Sequence, residues 1–438
     1  MKKTAILLSV SLISATFLKA QDTAKAPAKS PFTFGGYIDS YYTQNLNNPK
    51  SGLNLGQSGM ERAFDQRANT IGLGLVQTKF GYSNNKSDVV VDLTFGPNAD
   101  MGNYGNSPTL SWNPSKVASG ASPAAYFYGG IAIKQAYFNY KATDKLTFTA
   151  GQFGTHIGTE VIDAPINYNY SLSNLFNNGP FYHIGVKANY AFSDKFALMA
   201  GVVNNVDALY DNNRAKGIIA QMFLSPVKGW NVYINYIGSN EANPSAAAIA
   251  DTANKNHQTA GFYQLIDLTT GYQMTDKFYM GINAAYGSQR GDYQGNGIPN
   301  VNAAGTKDST RHWGGAALYM NYQFTGIFGL GLRAEHFDNS SGVRSLRNTA
   351  AQTYYMTNTV GQTGSKTGGT SVNSITLTGV ITLAEGHFLL KPEVRMDMYK
   401  KNAYTGAASS DIQQFQDSKG YFTKTSQTTI GLALIYKY

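Results

Sequence analysis

Hydrophobic and polar residues alternate along most of this chain with the two-residue period of β-strands. In residues 146–150, leucine, phenylalanine and alanine alternate with threonine, and the alternation resumes at residues 184–192 after a long loop. A short Ser-Asp-Lys turn at 193–195 leads into the next alternating stretch. One apolar and one polar face per strand would suit either a soluble β-sandwich or a membrane barrel.

Short turns and much longer loops follow one another in a regular order. Turns such as 84–85, 143–145 and 275–277 alternate with polar loops that are several times longer. A soluble sandwich has no reason to place every long loop at one end. We therefore predict an all-β fold, a transmembrane antiparallel β-barrel of about 16 strands with short periplasmic turns and long extracellular loops. A slip in the alternation predicts a β-bulge near Val76.

The first 20 residues have the features of a secretory signal peptide. Lys2 and Lys3 precede an apolar run that is too short to span a bilayer comfortably, and Ala20 supplies the small residue of a cleavage site. We predict that residues 21–31 form a flexible leader and that residues 32–438 form the barrel. Together with the predicted barrel, the signal peptide predicts a protein secreted across the inner membrane into the outer membrane of a Gram-negative bacterium. The absence of cysteine excludes a lipoprotein anchor and disulfides.

Composition favours a membrane barrel over an ordinary secreted β domain. Only 14% of the residues are charged, whereas 13% are aromatic, and aromatic residues form the interfacial girdles of transmembrane barrels. The formal net charge of +9 comes without a cluster of Lys and Arg, so we predict no nucleic-acid partner.

The final strand presents one continuous apolar face. Its members are Ile430, Leu432, Leu434, Tyr436 and Tyr438. Outer-membrane barrels carry a similar last strand, which the barrel assembly machinery recognises. We therefore expect that machinery and outer-membrane lipid as partners.

Charged residues on the polar faces predict the chemistry of the barrel interior. A barrel of about 16 strands is too wide for side chains to fill, so a water-filled channel is expected. The candidate pore-lining residues are Asp39, Asp92, Lys187, Arg333, Glu335, Lys391, Glu393, Arg395 and Asp397. Charges on a pore wall bias ion selectivity, although the same set could be mutually paired without a tuned role.

The third long loop, residues 156–180, is the candidate constriction of the channel. In general diffusion porins the corresponding loop folds inward, and here it is rich in amide and phenol groups suited to polar or sugar-like solutes. The candidate constriction residues are His156, Glu160, Asn167, Tyr168 and Tyr170. The alternative is a loop that lies on the outer surface.

These observations predict a porin that lets small hydrophilic solutes or ions diffuse passively, without catalytic residues, metal or cofactor. Six scattered histidines without a His-x-x-x-His pair argue against a metal centre. The first alternative is a closed barrel whose long loops bind a surface partner, as in an adhesin. The second is a barrel lipase, which requires a lipid-facing Ser/His pair that the pattern does not supply.

The sequence resembles the OmpL-like β-barrel porins of Gram-negative bacteria. The resemblance is strongest over residues 133–222, where 150–160 reads AGQFGTHIGTE and 180–183 reads PFYH. The segment GYID at 36–39 is similar to the family as well. This resemblance implies an outer-membrane porin and leaves a homotrimer open, but it assigns no role to His156 or Glu160.

Overall fold

A computed structural model gives the fold of most of the chain. The described residues are 30–56, 62, 64–102, 131–204, 206–207, 211, 214–240, 261–291, 309–340, 347–348, 368–369, 371–399 and 414–438. The predicted signal peptide, 1–20, and nearly all of the predicted leader, 21–31, lie outside them.

Sixteen antiparallel strands form one closed barrel, which confirms the predicted fold class. The first thirteen are β1 (Phe32–Asn45), β2 (Ile71–Ser83), β3 (Ser87–Phe95), β4 (Ile131–Lys141), β5 (Leu146–Gly154), β6 (Tyr182–Ser193), β7 (Phe196–Val203), β8 (Gly217–Leu224), β9 (Trp230–Asn240), β10 (Phe262–Gln273), β11 (Phe278–Gly291), β12 (Ser309–Gln323) and β13 (Phe328–Asp338). Two short pairs lie in the later loops: β14 (Arg347–Asn348) with β15 (Gly368–Gly369), and β18 (Phe415–Gln416) with β19 (Phe422–Lys424). The barrel is completed by β16 (Ser371–Leu383), β17 (Phe388–Tyr399) and β20 (Ser426–Lys437), and β20 pairs with β1.

Long and short connections alternate around the barrel, as the pattern predicted. Seven short turns join β2–β3, β4–β5, β6–β7, β8–β9, β10–β11, β12–β13 and β16–β17, and the other connections between neighbouring barrel strands are long. Because successive strands run in opposite directions, all short turns lie at one end and all long loops at the other. This is the asymmetry of outer-membrane barrels, whose short turns face the periplasm.

The two faces of each strand differ as a bilayer requires. On β16, Ile375 and Leu377 point outward and are 49% and 42% exposed. Ser374, Thr376 and Thr378 alternate with them, point inward and are buried. Hydrocarbon offers no hydrogen-bond partner, so the apolar face is the one that lipid can cover.

The predicted bulge lies in β2 and is held by an interior carboxylate. Ile38 pairs with Val76, whereas Ser40 pairs with Leu73, so β2 carries one extra residue between these pairs. The backbone N–H of Leu75 donates to the Asp39 carboxylate. The bulge therefore turns a backbone donor toward the interior, and Asp39 satisfies that donor.

Within the described residues, helical structure is confined to short segments. Helix α1 (Pro97–Gly102) lies in the second long loop, helix α2 (Asn174–Asn178) lies in the third, and a 3-10 turn (Ala384–Gly386) joins β16 to β17. None of the helices in the described ranges has the length and apolar character needed to cross a bilayer.

An apolar cluster occupies the interior near the long-loop end, and the sequence pattern did not predict it. Its wall residues include Ile219, Ile237 and Phe337, which are fully buried, and Trp313, which is 4% exposed. Two of its members, Ile157 and Leu175, come from the third loop, and Phe415 comes from the last loop. Loop residues thus seal part of the interior that an empty barrel would leave to water.

Candidate functional site

The third long loop, residues 155–181, enters the barrel and is the centre of the candidate site. Every residue of this loop is described, and 171–181 are all buried. Its helix α2 begins after Ser173, whose hydroxyl accepts a hydrogen bond from the Phe176 N–H at 3.0 Å. The inward fold that the sequence offered as one of two alternatives is the arrangement that the structure adopts.

The nine predicted pore-lining residues all occupy inward-facing positions. Eight of them are 9% exposed or less, namely Asp39, Asp92, Arg333, Glu335, Lys391, Glu393, Arg395 and Asp397, whereas Lys187 is half-buried. Most of the eight are covered by the third loop and contact it rather than open water. Their part in a permeation path stays a prediction, while their contacts with the loop are explicit.

Two cations of β17 hold carbonyl groups of the loop. Lys391 donates through Nζ to the carbonyl oxygens of Ala164, at 2.6 Å, and Asn167. Arg395 donates through Nη1 to the carbonyl oxygen of Leu172 at 2.7 Å. A loop without regular structure leaves carbonyls unpaired, and buried cations satisfy them with charge-assisted hydrogen bonds.

Two carboxylates of the wall hold the backbone N–H groups of the same loop. Glu393 accepts from Tyr170 N at 2.7 Å and from Ser171 N at 3.1 Å. Glu335 accepts from Asn174 N at 2.9 Å and from Leu175 N at 2.8 Å, which satisfies the free donors at the start of helix α2. The alternation of sign along the wall therefore matches alternating carbonyl and N–H groups of the loop.

Arg333 forms the ion pair at the middle of this contact. Its Nη1 lies 2.5 Å from Glu160 Oε1 and 2.6 Å from the carbonyl oxygen of Ser171. Its Nη2 donates to Thr376 Oγ1 at 3.2 Å. The buried guanidinium thus connects two separate parts of the loop, at Glu160 and at Ser171, to the wall.

A second ion-pair group connects the wall to the first long loop, and sequence reasoning missed half of it. Asp397 accepts from Arg395 at 2.8 Å and from Arg62 at 2.9 Å, and Arg62 also pairs with Asp65. Arg62 and Asp65 lie in an irregular polar loop, where no strand period marks a residue as inward-facing.

Asp39 and Asp92, which lie on the N-terminal strands β1 and β3, also contribute to the contacts with the loop. The Tyr170 hydroxyl donates to Asp39 Oδ2 at 2.7 Å. Asp92 lies 3.5 Å from Lys134, which also pairs with Asp163 of the loop. Lys134 was not among the predicted site residues because the register shift between β3 and β4 interrupts the alternation there. Asp163 was missed because it lies in the irregular third loop, where no strand period marks its direction.

The loop also crosses to the far wall. Gly158 donates its N–H to Asp267 Oδ1 on β10 at 2.9 Å. His156 lies with Nε2 3.0 Å from the carbonyl oxygen of Tyr236 on β9, and burial lowers its pKa to about 4, so the imidazole is uncharged at neutral pH. Asp267 was missed by the sequence analysis, although its inward position follows from alternation along β10.

The five predicted constriction residues are all brought into the interior, with different partners. Glu160 and Tyr170 bind the charged wall, and His156 binds the far wall. Asn167 stabilises the loop itself, since its side-chain Nδ2 donates to the carbonyl oxygen of Val161 at 2.5 Å. Tyr168 packs against Tyr279 of β11, with ring centroids 5.6 Å apart.

The described part of the chain contains no group of three or more His, Cys, Asp or Glu side chains placed to hold a metal ion. The interior chemistry that these residues do present consists of ion pairs, amides and phenols. A closed barrel of 16 strands, a lipid-compatible outer face and a loop bound inside it together define a channel-type outer-membrane barrel.

The chain belongs to the family described as "Putative beta-barrel porin-2, OmpL-like", whose model matches residues 31–438. The family resemblance predicted from the sequence is thereby confirmed. No curated protein matches this sequence.

Solved structures share the fold at low sequence identity. The outer membrane channel DcaP of Acinetobacter baumannii has a TM-score of 0.52 at 12% identity, with 95% of this chain and 99% of that chain covered. An anion-selective porin from Comamonas acidovorans has a TM-score of 0.50 at 10% identity, with coverages of 93% and 99%. A loop-deletion mutant of Vibrio cholerae OmpT, an outer membrane protein, has a TM-score of 0.50 at 11% identity, with the same coverages. At these identities the likeness concerns the fold alone.

Proposed function

We propose that the protein is a non-enzymatic channel through which small hydrophilic solutes or ions diffuse passively, narrowed by the third loop. The observation that carries this proposal is the contrast between two interior walls. The charged residues of β13 and β17 are buried beneath the loop, whereas a subset of the inward-facing polar residues of β6–β12 remains partly exposed. These residues are Lys187, Asn189, Gln221, Tyr233, Tyr279 and Asn321. The solute path runs along them.

Single-channel recording of the refolded protein in a planar bilayer tests this proposal. We expect stable conductance steps in KCl, because a partly exposed polar wall supports a continuous water path. Folding is checked independently by the temperature-dependent shift of barrel mobility on a denaturing gel. Folded protein that gives no steps would favour a closed barrel whose loops bind a surface partner, a reading that the buried apolar cluster supports.

Lys187 supplies a prediction about ion preference. Its Nζ lies 4.3 Å from the Phe153 ring centroid, and none of the described carboxylates forms a salt bridge with it. An unpaired lumenal cation favours anions, so Lys187→Gln is expected to shift the reversal potential in a KCl gradient toward cation preference. Lys277→Gln, in a periplasmic turn, is the matched control. Equal reversal potentials for both variants would show that Lys187 does not lie on the ion path.

The lipase alternative receives no support from the outward-facing histidines of the described strands. His312 Nδ1 lies 2.8 Å from the Tyr286 hydroxyl, and His336 Nδ1 lies 2.7 Å from Asn373 Oδ1. His312 lies opposite Ser288 in the β11–β12 register, but the described side chains show no hydrogen bond between them, and the Ser288 hydroxyl accepts one from Gln264 Nε2 at 3.0 Å instead. A serine that is not bonded to the imidazole is not activated as a nucleophile.

Export and assembly complete the proposal. Residues 1–20 direct secretion across the inner membrane, and the apolar face of β20 is read by the barrel assembly machinery. A homotrimer stays a prediction, which the mass of the detergent-solubilised protein by light scattering tests directly.

A further inference from the structure

Four half-buried aromatic residues line the interior, one from the third loop and three from the strand ends near the periplasmic turns. Phe223 and Tyr233 stack with ring centroids 5.0 Å apart, and Tyr279 lies 5.6 Å from Tyr168 of the loop. All four side chains keep part of their surface exposed. We call this set of Phe223, Tyr233, Tyr279 and Tyr168 the aromatic arc.

Strand register places the wall members of the arc on the inward face. Phe223 of β8 pairs with Tyr233 of β9, and Tyr233 in turn pairs with Thr269 of β10. Thr269 is two residues from the inward-facing Asp267 and therefore lies on the same face of β10. Tyr279 pairs with Asn321 of β12. Directly paired residues share a face of the sheet, so these rings project into the lumen rather than toward lipid.

Glycines let two of the rings lie close against the wall. A Cβ atom at Gly271 would lie 2.2 Å from the Tyr279 hydroxyl oxygen and 2.9 Å from its Cζ. A Cβ atom at Gly331 would lie 3.0 Å from the Cβ atom of Tyr168. The wall therefore has no side chain where the Tyr279 ring and the Cβ atom of Tyr168 approach it, so both residues can lie close against the wall.

Other interior tyrosines, whose role is to pack the interior, are more deeply buried than the aromatic arc. Tyr263 and Tyr319 belong to the apolar cluster and are only 2% and 4% exposed. The arc is less buried than these and lies beside polar groups, since Asn321 interacts with Tyr168. Exposed aromatic surface beside hydrogen-bonding amides is characteristic of ligand sites.

We propose that the aromatic arc is a saccharide-binding site along the solute path. A sugar ring has an apolar face of C–H groups that stacks on an aromatic ring, and a rim of hydroxyls that the tyrosine hydroxyls and the Asn321 amide can bind. The curved row of rings offers stacking positions to successive sugar units of a short oligosaccharide. This proposal rests on the proposed channel function.

The test measures how maltotriose, added to the bilayer chamber, interrupts the KCl current through the refolded channel. Size-matched polyethylene glycol reports effects of volume alone. We expect concentration-dependent blocking by maltotriose and none beyond the volume effect with the polymer. Tyr279→Leu should weaken the apparent affinity by about tenfold, because it removes one stacking ring. Tyr279→Phe keeps the ring but loses the hydroxyl, so it should weaken the apparent affinity clearly less than Tyr279→Leu does.

The controls separate the two proposals. Tyr190→Leu, on the lipid-facing side of β6, should leave sugar blocking unchanged. Absence of KCl steps from folded protein would overturn the channel function itself. Normal steps without sugar-specific blocking, or blocking unaffected by Tyr279→Leu, would overturn the saccharide site alone. If Tyr279→Leu does not fold, Tyr233→Leu is compared with Tyr233→Phe by the same criteria.

Discussion

Replacing Arg333 with Met is expected to release the third loop and enlarge the channel. The guanidinium is fully buried and holds Glu160 and the Ser171 carbonyl, so its loss leaves uncompensated carboxylates in the interior. Removing one partner of a buried ion pair typically costs about 3–5 kcal/mol. A change of that size shifts the balance between the bound and released loop by more than about a hundredfold toward release. Single-channel recording should show a larger mean conductance with added gating noise.

A double variant shows whether the orphaned charge is the cause. Arg333→Met with Glu160→Gln removes both charges of the pair, and a neutral amide is less costly to bury than an unpaired carboxylate. We expect this double variant to recover a conductance closer to that of the unchanged protein. Arg214→Met, on an exposed loop residue, is the matched control for the substitution itself. Conductance that is unchanged in Arg333→Met would show that the other wall contacts suffice to hold the loop.

The sequence predicts the barrel well because a bilayer imposes a simple rule on every strand. Alternation placed Lys391, Glu393 and Arg395 on one face, and all three point inward. The order of long and short connections identified residues 156–180 as the third long loop, which does fold into the interior. Both predictions depend only on local period and on the order of elements along the chain.

The contacts that fix the loop depend on residues far apart in the chain. Arg62 and Asp397 are separated by 335 positions, and nothing local to either residue indicates the other. The apolar cluster was also missed, although its signal is present. Gly217-Ile218-Ile219-Ala220 is apolar on both faces, and a strand without a polar face is one that is covered on both sides. Ile218 faces outward and is 50% exposed, while Ile219 is fully buried inside.

Replacing Leu377 with Arg should destabilise the whole barrel rather than alter the channel. Leu377 is the middle residue of the 13-residue strand β16, points outward and is 42% exposed, so its side chain meets hydrocarbon near the bilayer midplane. An arginine on the lipid face at that depth costs about 2–4 kcal/mol, and the cost falls to about 0–1 kcal/mol near the interfaces. Equilibrium unfolding by guanidinium in lipid vesicles measures the difference.

Ile327 gives the matched control for this substitution. It lies in the turn between β12 and β13 and is 57% exposed, at the end of the barrel where an arginine reaches interfacial water. Ile327→Arg should therefore change the free energy of unfolding by no more than about 1 kcal/mol. Equal losses for the two variants would mean that the outer face of β16 does not lie in hydrocarbon at Leu377. Because the apolar outer face on every strand depends on the same alternation, that result would contradict the membrane placement of the barrel as a whole.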